Sequence, residues 1–423
     1  MPTYRIPYGH GFLECDLAAA AAAGHRIEVV EPAAAVAARD ASADIEAALG
    51  AAVLPEYRGG GCAIAINDRT RPVPHDLLLP PLLGRLERAG VRPDDVLFII
   101  ATGTHAPTPA AQFGDTVPAR ILGRYRVVSH DASDAGGLAP LGETSRGTPV
   151  WINREYLARE LRVVVGAIEP HQFVGFSGGV KSAAIGLAGY ETIGRNHSMM
   201  SHPLARLGRY GDNPCRQDIE EIGARIGVHL ALNVILGDGR RTVCALAGPP
   251  LDVMRQGIPL VRRLNQVEVD APFDLVIASP GGHPKDVNVY QAQKALAHAA
   301  LVTRPGGAIV IAAACTDGSG SRAYEDWLGG PGMTSHAAVM ERFAREGYRI
   351  GPHKAFQIAR DASRFSVRWH TAMPPALAGR LLLESAASLQ SAVDEAARRL
   401  APASRIGILP RANATIPVLR DSG

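Results

Sequence analysis

The residues best suited to chemistry lie between His171 and His197, in HQFVGFSGGVKSAAIGLAGYETIGRNH. Lys181 stands there in a run of small residues, SGGVKSAA, with an imidazole on each side. Gly178 and Gly179 lack a Cβ, so their backbone N–H groups can approach an anion closely. A helix beginning near Lys181 would direct its positive end toward the same point. The lysine is either a phosphate counter-charge or an amine for covalent attachment, and the segment is predicted to bind a cofactor.

Two other interpretations of this loop stay open. The Walker A loop, G-x-x-x-x-G-K-[ST], is the nearest common motif. Gly175 and Lys181-Ser182 match it, but Val180 stands where the pattern requires glycine. The second alternative is a Gly-Ser turn that caps a helix and leaves Lys181 exposed to solvent. That turn does not explain the polar groups that follow other apolar runs of the chain.

Length and composition limit the class of protein. The chain has 423 residues, of which 47% are hydrophobic and 20% charged, and its net charge is +3. This length exceeds one ordinary core, so two domains are expected. The composition is typical of a folded protein, and the absence of a basic arm argues against a nucleic-acid partner. Five scattered cysteines without a C-x-x-C pair favour a reducing compartment over a disulfide framework.

The N-terminal sequence, MPTYRIPYGHG, lacks the basic and then apolar regions of a secretory signal. The alanine-rich run at 18–23 is much shorter than the about 20 apolar residues that cross a bilayer. We therefore expect a soluble, cytoplasmic protein without a membrane partner.

Continuous apolar runs that end in loops rich in Gly, Asp or Asn recur along the chain. Such runs are typical of strands buried on both faces of a parallel sheet, and helical patterns lie between them. This alternation predicts an α/β fold with mainly parallel sheets. The predicted strands are 62–68, 96–105, 162–171, 229–239, 273–283 and 306–315, and the predicted helices are 76–90, 250–267, 290–302 and 389–400.

A domain boundary is predicted where the helix ending near Val267 gives way to a new series of strands. Residues 1–268 would then form an N-terminal cofactor-binding catalytic domain, and residues 269–404 a C-terminal α/β domain. The tail, about 405–423, is interpreted as a strand that returns to the first domain.

Polar side chains follow several predicted strands, at the carboxyl ends where open α/β sheets bind ligands. Arg71 has the planar guanidinium that binds a carboxylate through two hydrogen bonds. The alternative is a surface ion pair of Arg69 or Arg71 with Asp68. His105 and His171, which we expect on neighbouring strand ends, would suit paired acid and base groups near neutral pH.

Two further positions have both a functional and a structural interpretation. His197 is either a metal ligand, oriented by Asn196 or Ser198, or part of a helix cap. Lys294 and Gln291 share one face of a later helix. That face either binds an anionic substrate or is the solvated side of the helix.

Taken in chain order, DRTRP, ATGTH, HQFVGFSGGVKS with a later NH, and YQAQKAL resemble the motifs of the lactate racemase family. Its members are nickel-dependent racemases and epimerases of 2-hydroxy acids. The resemblance spans nearly the whole chain and implies two α/β domains around an active-site cleft. It also implies a nickel-pincer nucleotide (nickel pyridinium-3,5-bisthiocarboxylic acid mononucleotide), cofactor-synthesis enzymes as partners and a small 2-hydroxy carboxylate as substrate.

The resemblance implies a role for each matching residue. Lys181 would carry the cofactor as a thioamide, and His197 would be the protein ligand of nickel. His105 and His171 would be the catalytic acid and base groups. The other matches are Arg71, Lys294, Tyr290 and Gln291 at the substrate, and Asp68 and Ser177, beside Gly178 and Gly179, at the cofactor.

The implied reaction removes the Cα hydrogen of the substrate as hydride, which avoids building carbanion charge beside a carboxylate. One histidine takes the hydroxyl proton, hydride moves to the cofactor, and its return to the other face of a transient 2-keto acid inverts the centre. We expect Phe356 or Trp369 as an aromatic neighbour of the substrate. The substrate stays open among lactate, a longer aliphatic or aromatic acid, a malate-like diacid and a sugar acid.

Two other functions agree with parts of the sequence. A lysine-based pyridoxal-phosphate racemase would use Lys181 as its Schiff-base partner, but this function does not explain the presence of His197 and Arg71. A nucleotide- or nickel-binding carrier or sensor on the same fold would explain the glycine loop, but not the paired histidines.

Overall fold

The computed structural model describes residues 3–32 and 40–420. Its strands are β1 Thr3–Tyr8, β2 Gly11–Asp16, β3 Arg26–Val29, β4 Cys62–Asn67, β5 Val96–Ala101, β6 Arg126–Ser129, β7 Leu138–Glu143, β8 Pro149–Asn153, β9 Leu161–Ala167, β10 Pro170–His171, β11 Gly175–Phe176, β12 Leu230–Leu236, β13 Thr242–Gly248, β14 Gln266–Val269, β15 Phe273–Ala278, β16 Thr303–Ala312, β17 Ser366–His370, β18 Arg405–Leu409 and β19 Ile416–Leu419. Its α-helices are α1 Ala18–Ala22, α2 Ala41–Ala51, α3 His75–Arg88, α4 Ala119–Leu122, α5 Arg154–Leu157, α6 Lys181–Ala184, α7 Tyr190–Ser198, α8 Pro214–Ile226, α9 Pro250–Asn265, α10 Val289–Ala299, α11 Arg322–Leu328, α12 His336–Glu346, α13 Pro352–Ala362, α14 Pro375–Arg380 and α15 Leu389–Ala397.

The chain divides into two compact units, and the one comprising Ala34–Leu264 contains the lysine loop. This lysine unit has a six-stranded sheet of order β13-β12-β9-β4-β5-β6. Its neighbouring strands are parallel except for the antiparallel pair of β12 and β13. The apolar residues of β4 and β5 are almost all buried, and side chains of α2 and α3 join the same core. Burial on both faces explains why these strands are continuously apolar.

The strand order of the lysine unit corrects one expectation. β5 precedes His105 and β9 precedes His171, but the two strands are not neighbours, because β4 pairs with both of them. The end of β4 leads into Asp68. The carboxyl ends of β9, β4 and β5 lie side by side at one edge of the sheet, so Asp68 follows the strand between the two histidine-bearing segments.

The other unit comprises Met1–Ala33 and Asn265–Gly423 and is called the terminal unit below. Its five-stranded sheet has the order β17-β16-β15-β18-β3, and all four pairings are parallel. Buried residues of β15, β16 and β18 form a core together with Ile6 and Cys15 of the β1–β2 hairpin and with α15. β14 and β19 form a separate parallel pair.

This division differs from the predicted one at both chain ends. β18 lies between β15 and β3, with Ile406 and Ile408 in the core, so the tail stays with the terminal unit instead of returning to the other one. The N-terminal segment also belongs here, since β3 pairs with β18. The placement of both chain ends depends on strand pairing between segments that are distant in the chain, and the local sequence pattern does not reveal such pairing.

The predicted fold class is confirmed: two α/β units with mainly parallel sheets. The predicted strands are present, and all of them end earlier than predicted because their Gly- and Asp-rich ends form loops. The strand predicted at 96–105, for example, ends at Ala101. The helix predicted near Lys181 is a single turn, α6. No helix within residues 3–32 and 40–420 is long and apolar enough to cross a membrane.

Candidate active site

Lys181 is buried, with 7% of its surface exposed, which contradicts the alternative of a Gly-Ser turn that leaves this lysine exposed to solvent. Burial, together with the positive charges of Arg71 and Arg216, lowers the pKa of Lys181 well below its usual value, and the nearby Asp68 only partly opposes this shift. The neutral amine carries the lone pair that forms a covalent bond. The environment of Lys181 therefore favours a nucleophile over a phosphate counter-charge.

The two glycines of the loop are required by packing. Their φ angles are +84° at Gly178 and +59° at Gly179, a region that L side chains rarely adopt. A Cβ on Gly178 would lie 2.7 Å from Ile168 Cγ1, and one on Gly179 would lie 2.7 Å from Met254 Cγ. The Gly179 N–H donates to Asn233 Oδ1 at 2.7 Å. This N–H is thus used within the protein, contrary to the expectation that it binds an anion.

Arg216 and Ser177 hold the loop in place. Arg216 is fully buried on α8 and donates to two carbonyls of the loop at 3.0 and 3.1 Å. Ser177 Oγ donates to the Ala167 carbonyl at 2.8 Å and accepts from the Glu169 N–H at 2.9 Å. Ser177 thus closes its own turn, and its contact with a cofactor stays a prediction. Sequence reasoning missed Arg216 and Asn233, because both lie on elements far from the motif.

Asp68 and His105 form a hydrogen-bonded pair, with 2.7 Å between Asp68 Oδ2 and His105 Nδ1. Asp68 also accepts from the N–H and hydroxyl groups of Thr70 at 3.1 and 2.7 Å. Burial alone would raise the pKa of Asp68, but the bonds from His105 and Thr70 outweigh it and lower that pKa. The ionised carboxylate only accepts, so His105 Nδ1 is the donor and Nε2 is left to accept a proton. Asp68 therefore orients His105, and its contact with a cofactor stays a prediction.

Arg71 lies close to this pair without being neutralised by it. Within the described part of the chain neither arginine of the motif forms an ion pair with Asp68, and Arg69 pairs with Asp115 at 3.9 Å. The surface ion pair considered from the sequence is therefore not found. The charge of Arg71 lowers the pKa of both Asp68 and Lys181. The exposed guanidinium of Arg71 therefore lies near the Asp68–His105 pair and near Lys181.

Phe173 brings His171 and His197 together. Its ring centroid is 4.8 Å from that of His171 and 5.0 Å from that of His197, with interplanar angles of 82° and 75°. The short β10–β11 pairing, in which His171 lies opposite Gly175, folds the chain back so that Phe173 lies between the two imidazoles. Both histidines are half-buried. The sequence did not single out Phe173, since an aromatic residue beside a histidine is common in cores.

Asn196 is the partner of His197 that the structure supports. His197 Nδ1 lies 3.0 Å from Asn196 Oδ1, and Asn196 is fully buried. Ser198, the other candidate, donates its hydroxyl hydrogen to the Arg195 carbonyl at 2.7 Å. The ring of His197 is therefore oriented through its Nδ1 atom.

The remaining predicted residues lie on α10 of the terminal unit. Lys294 Nζ donates to Gln291 Oε1 at 2.7 Å, so the two side chains lie on one face of the helix, as their spacing predicts. Tyr290 Oη lies 3.4 Å from His353 Nε2, and Lys354 Nζ lies 4.5 Å from the centroid of the Tyr290 ring. Lys354 is a second cation beside these residues that sequence reasoning missed.

Phe356 and Trp369 are packing residues of the terminal unit. Trp369 is 1% exposed on β17. Phe356 is 5% exposed and stacks on Phe343 with 4.3 Å between ring centroids. Both rings therefore pack in the core of the terminal unit, and an aromatic neighbour for the substrate stays a prediction.

The protein has an α/β fold, and its lysine unit holds a buried lysine, the Asp68–His105 pair and two histidines that contact one phenylalanine. Within residues 3–32 and 40–420, no group of three or more His, Cys, Asp or Glu side chains is arranged to hold a metal ion. Residues 8–208 match the lactate racemase N-terminal domain, and residues 269–416 match the lactate racemase C-terminal domain. The chain belongs to the lactate racemase family.

Curated relatives agree with this assignment. The chain is 32% identical over 267 residues to a lactate racemase from Thermoanaerobacterium thermosaccharolyticum, a match that covers 63% of this chain and 62% of that protein. It is 31% identical over 281 residues to a lactate racemase from Lactiplantibacillus plantarum, covering 65% and 66% respectively. Each match spans slightly less than two thirds of the relative.

Solved structures extend the likeness to the whole fold. The structure of the lactate racemase apoprotein from T. thermosaccharolyticum matches with a TM-score of 0.87 and 26% identity, covering 99% of this chain and 100% of that one. A protein from Thermotoga maritima shares the fold, with a TM-score of 0.65 and 15% identity over 91% of this chain and 100% of that one.

Proposed function

We propose that this protein is a racemase or epimerase that inverts the C2 centre of a 2-hydroxy acid. The observation that carries the proposal is the buried Lys181, with its lowered pKa, close to the Asp68–His105 pair. An amine prepared for covalent attachment and an oriented imidazole are the two groups that such an enzyme needs. The names of the curated relatives support the same reaction class.

The proposed cofactor is a nickel-pincer nucleotide, and the residues present fit it. Lys181 would hold it through a thioamide, because burial and two nearby guanidinium groups favour the neutral amine. His197 is oriented through Nδ1, so its Nε2 would bind nickel, a metal that imidazole suits. When bound, the cofactor would accept hydride from the substrate carbon and return it.

The protein's own groups would bind the substrate and move its hydroxyl proton. Asp68 keeps a proton on Nδ1 of His105, so the Nε2 atom of His105 would take the hydroxyl proton of one enantiomer. His171 would serve the other enantiomer, whose hydroxyl points differently. Arg71 would bind the carboxylate with its two-pronged guanidinium. Lys294, Gln291 and Tyr290 of the terminal unit are proposed to contribute to substrate binding.

Partners and compartment are proposed on chemical grounds. The nickel-pincer nucleotide has to be made elsewhere, so cofactor-synthesis enzymes would be the partners that load the protein. The five cysteines are free thiols, which supports a reducing compartment and hence the cytoplasm.

A carrier or sensor built on the same fold is the second candidate. It would need the lysine loop and His197, but it would have no use for a carboxylate that orients an exposed imidazole. The Asp68–His105 pair therefore favours the enzyme. A pyridoxal-phosphate racemase would use Lys181 but leave His197 without a task.

The test is elemental analysis and intact-mass measurement of protein co-expressed with cofactor-synthesis enzymes, followed by incubation with single enantiomers of 2-hydroxy acids. We expect nickel, a covalent adduct of nucleotide size and racemisation. Lys181→Met should lose the adduct, whereas Lys294→Met, the matched lysine variant, should keep it. An aldimine absorbance would instead indicate pyridoxal phosphate. Nucleotide that dissociates without an adduct, with no turnover of any acid, would indicate a carrier.

A further inference from the structure

The partner of His197 belongs to a buried polar network that reaches across the lysine unit. Asn196 Nδ2 donates to Asp218 Oδ2 at 2.8 Å. Asp218 accepts two more hydrogen bonds, from Thr144 Oγ1 at 2.6 Å and from Thr148 Oγ1 at 3.0 Å. Asn196, Asp218 and Thr148 are fully buried. The network therefore links the last turn of α7 to α8 and to the turn between β7 and β8.

The partners of Asn196 determine which way its amide group faces. Besides Asp218, the Cys215 carbonyl lies 3.0 Å from Asn196 Nδ2. A carboxylate and a carbonyl oxygen only accept, so both must face the NH₂ group. Oδ1 is then the atom that faces His197, and it also only accepts. His197 Nδ1 must therefore carry a proton, and in the neutral ring the lone pair lies on Nε2.

We propose that Asn196 and Asp218 are positioning residues that hold His197 in the Nδ1–H tautomer, in which the lone pair that would bind a metal lies on Nε2. Asp218 acts through Asn196: its negative charge fixes the direction of the amide, and the amide fixes the imidazole. The identity of the metal-bound group rests on the proposed function. The tautomer does not, because the contacts that set it belong to the protein alone.

The energetics favour this role for a buried carboxylate. Burying an ionised group is costly unless hydrogen bonds satisfy it, and Asp218 has three donors from two separate segments. Outer contacts of this kind typically change the metal affinity of a histidine ligand by about 10–100-fold when they are removed. We expect Asn196→Ala in that range and Asp218→Asn somewhat below it, since an asparagine at 218 can still accept one bond.

The first measurement uses the apoprotein labelled with ¹⁵N-histidine. Long-range ¹H–¹⁵N spectra report which ring nitrogen is protonated, and loss of one signal set in His197→Gln assigns the residue. Wild type should show the Nδ1–H tautomer, and Asn196→Ala should show a mixture or the other tautomer. Ser198→Ala is the matched control beside the same ring, because the Ser198 hydroxyl bonds to the Arg195 carbonyl, and it should match wild type.

The second measurement is the rate at which a chelator removes nickel from the loaded protein. Asn196→Ala should lose nickel about 10–100-fold faster than Ser198→Ala. Thr148→Val removes one donor to Asp218 with little change of shape, and it tests the network even if Asp218→Asn folds poorly. Nickel removal from Thr148→Val should be accelerated less than removal from Asn196→Ala.

A purely structural network would give different results. If Asn196→Ala keeps the Nδ1–H tautomer and loses nickel at the control rate, the positioning role is wrong, whatever the effect on melting temperature. Wild-type protein that holds no nickel would contradict the proposed function. In that case the tautomer measurement on the apoprotein still decides the inference by itself.

Discussion

The two units carry their candidate site residues in different ways. In the lysine unit two of the three candidate imidazoles are oriented by a buried polar side chain: Asp68 holds His105, and Asn196 holds His197. In the terminal unit Lys294 bonds to Gln291, one turn away on the same helix. One set of side chains is oriented by tertiary contacts, and the other by helix periodicity.

This difference is chemically meaningful. Bond making and metal binding tolerate small errors in distance and angle poorly, so the groups that do them need a fixed support. A long cationic side chain on a helix face can adjust to a ligand by changing rotamer. The lysine unit is therefore suited to the proposed chemistry and the terminal unit to the proposed substrate binding, and substitutions in the two units should have effects of different size.

Replacing either acid/base histidine should have the largest effect on turnover. His105→Gln or His171→Gln should reduce racemisation from both enantiomers by about 10²–10⁴-fold, the usual contribution of a general acid or base. The measurement is the initial rate from each pure enantiomer with loaded protein. A His105→Gln protein that matched wild type in both directions would remove His105 from the pair.

Asp68→Asn should reduce turnover less than His105→Gln, because the ring remains but the fixed charge at Nδ1 is lost. The amide at 68 can donate as well as accept, so His105 is no longer restricted to one tautomer. The pH profile of turnover should shift as well as fall in height. Thr70→Val removes a different bond to the same carboxylate and serves as the control, with a smaller change expected.

Variants of the proposed substrate-binding residues test whether the two units differ in their effect on KM. Arg71→Lys keeps the charge but loses the two-pronged contact, which should raise KM by about 10–100-fold, the value of a charge-assisted hydrogen bond. Lys294→Met should raise KM less, because a partly exposed ammonium on a helix contributes less. Equal turnover of 2-hydroxy acids and their amides by wild type would contradict carboxylate recognition by either residue.

The smallest effect should be on stability, measured with apoprotein. The folded-state pKa of Lys181 lies below its unfolded value of 10.5, so the unfolded state binds more protons in the window between the two. The contribution of Lys181 to stability should therefore rise with pH up to about 10.5. Lys181→Met removes the cost of burying an amine that is protonated in the unfolded chain. This variant should melt a few degrees higher than wild type near neutral pH, and the difference in melting temperature should shrink as pH approaches 10.5. Lys285→Met, at an exposed lysine, should show no such gain.

Some of these roles were visible in the sequence and others were not. The spacing of His105, His171 and Lys181 after apolar runs indicated a site, and the position of Asn196 beside His197 indicated its support. The SGG run was interpreted as an open anion site, whereas Ile168 and Met254 fill the space beside its glycines. Ile168 comes from the segment after β9 and Met254 from α9, so the residues of the motif do not indicate these contacts.

The sequence by itself determined the α/β class and the edge of the sheet at which the site lies, because the carboxyl ends of parallel strands always meet at one edge. Tertiary structure decided the burial of Lys181, the support of the loop by Arg216, and the link from His197 through Asn196 to Asp218. It also decided that the N-terminal strand and the C-terminal tail share one unit. Each of these depends on contacts between residues distant in the chain, which hydrophobic periodicity and local spacing do not encode.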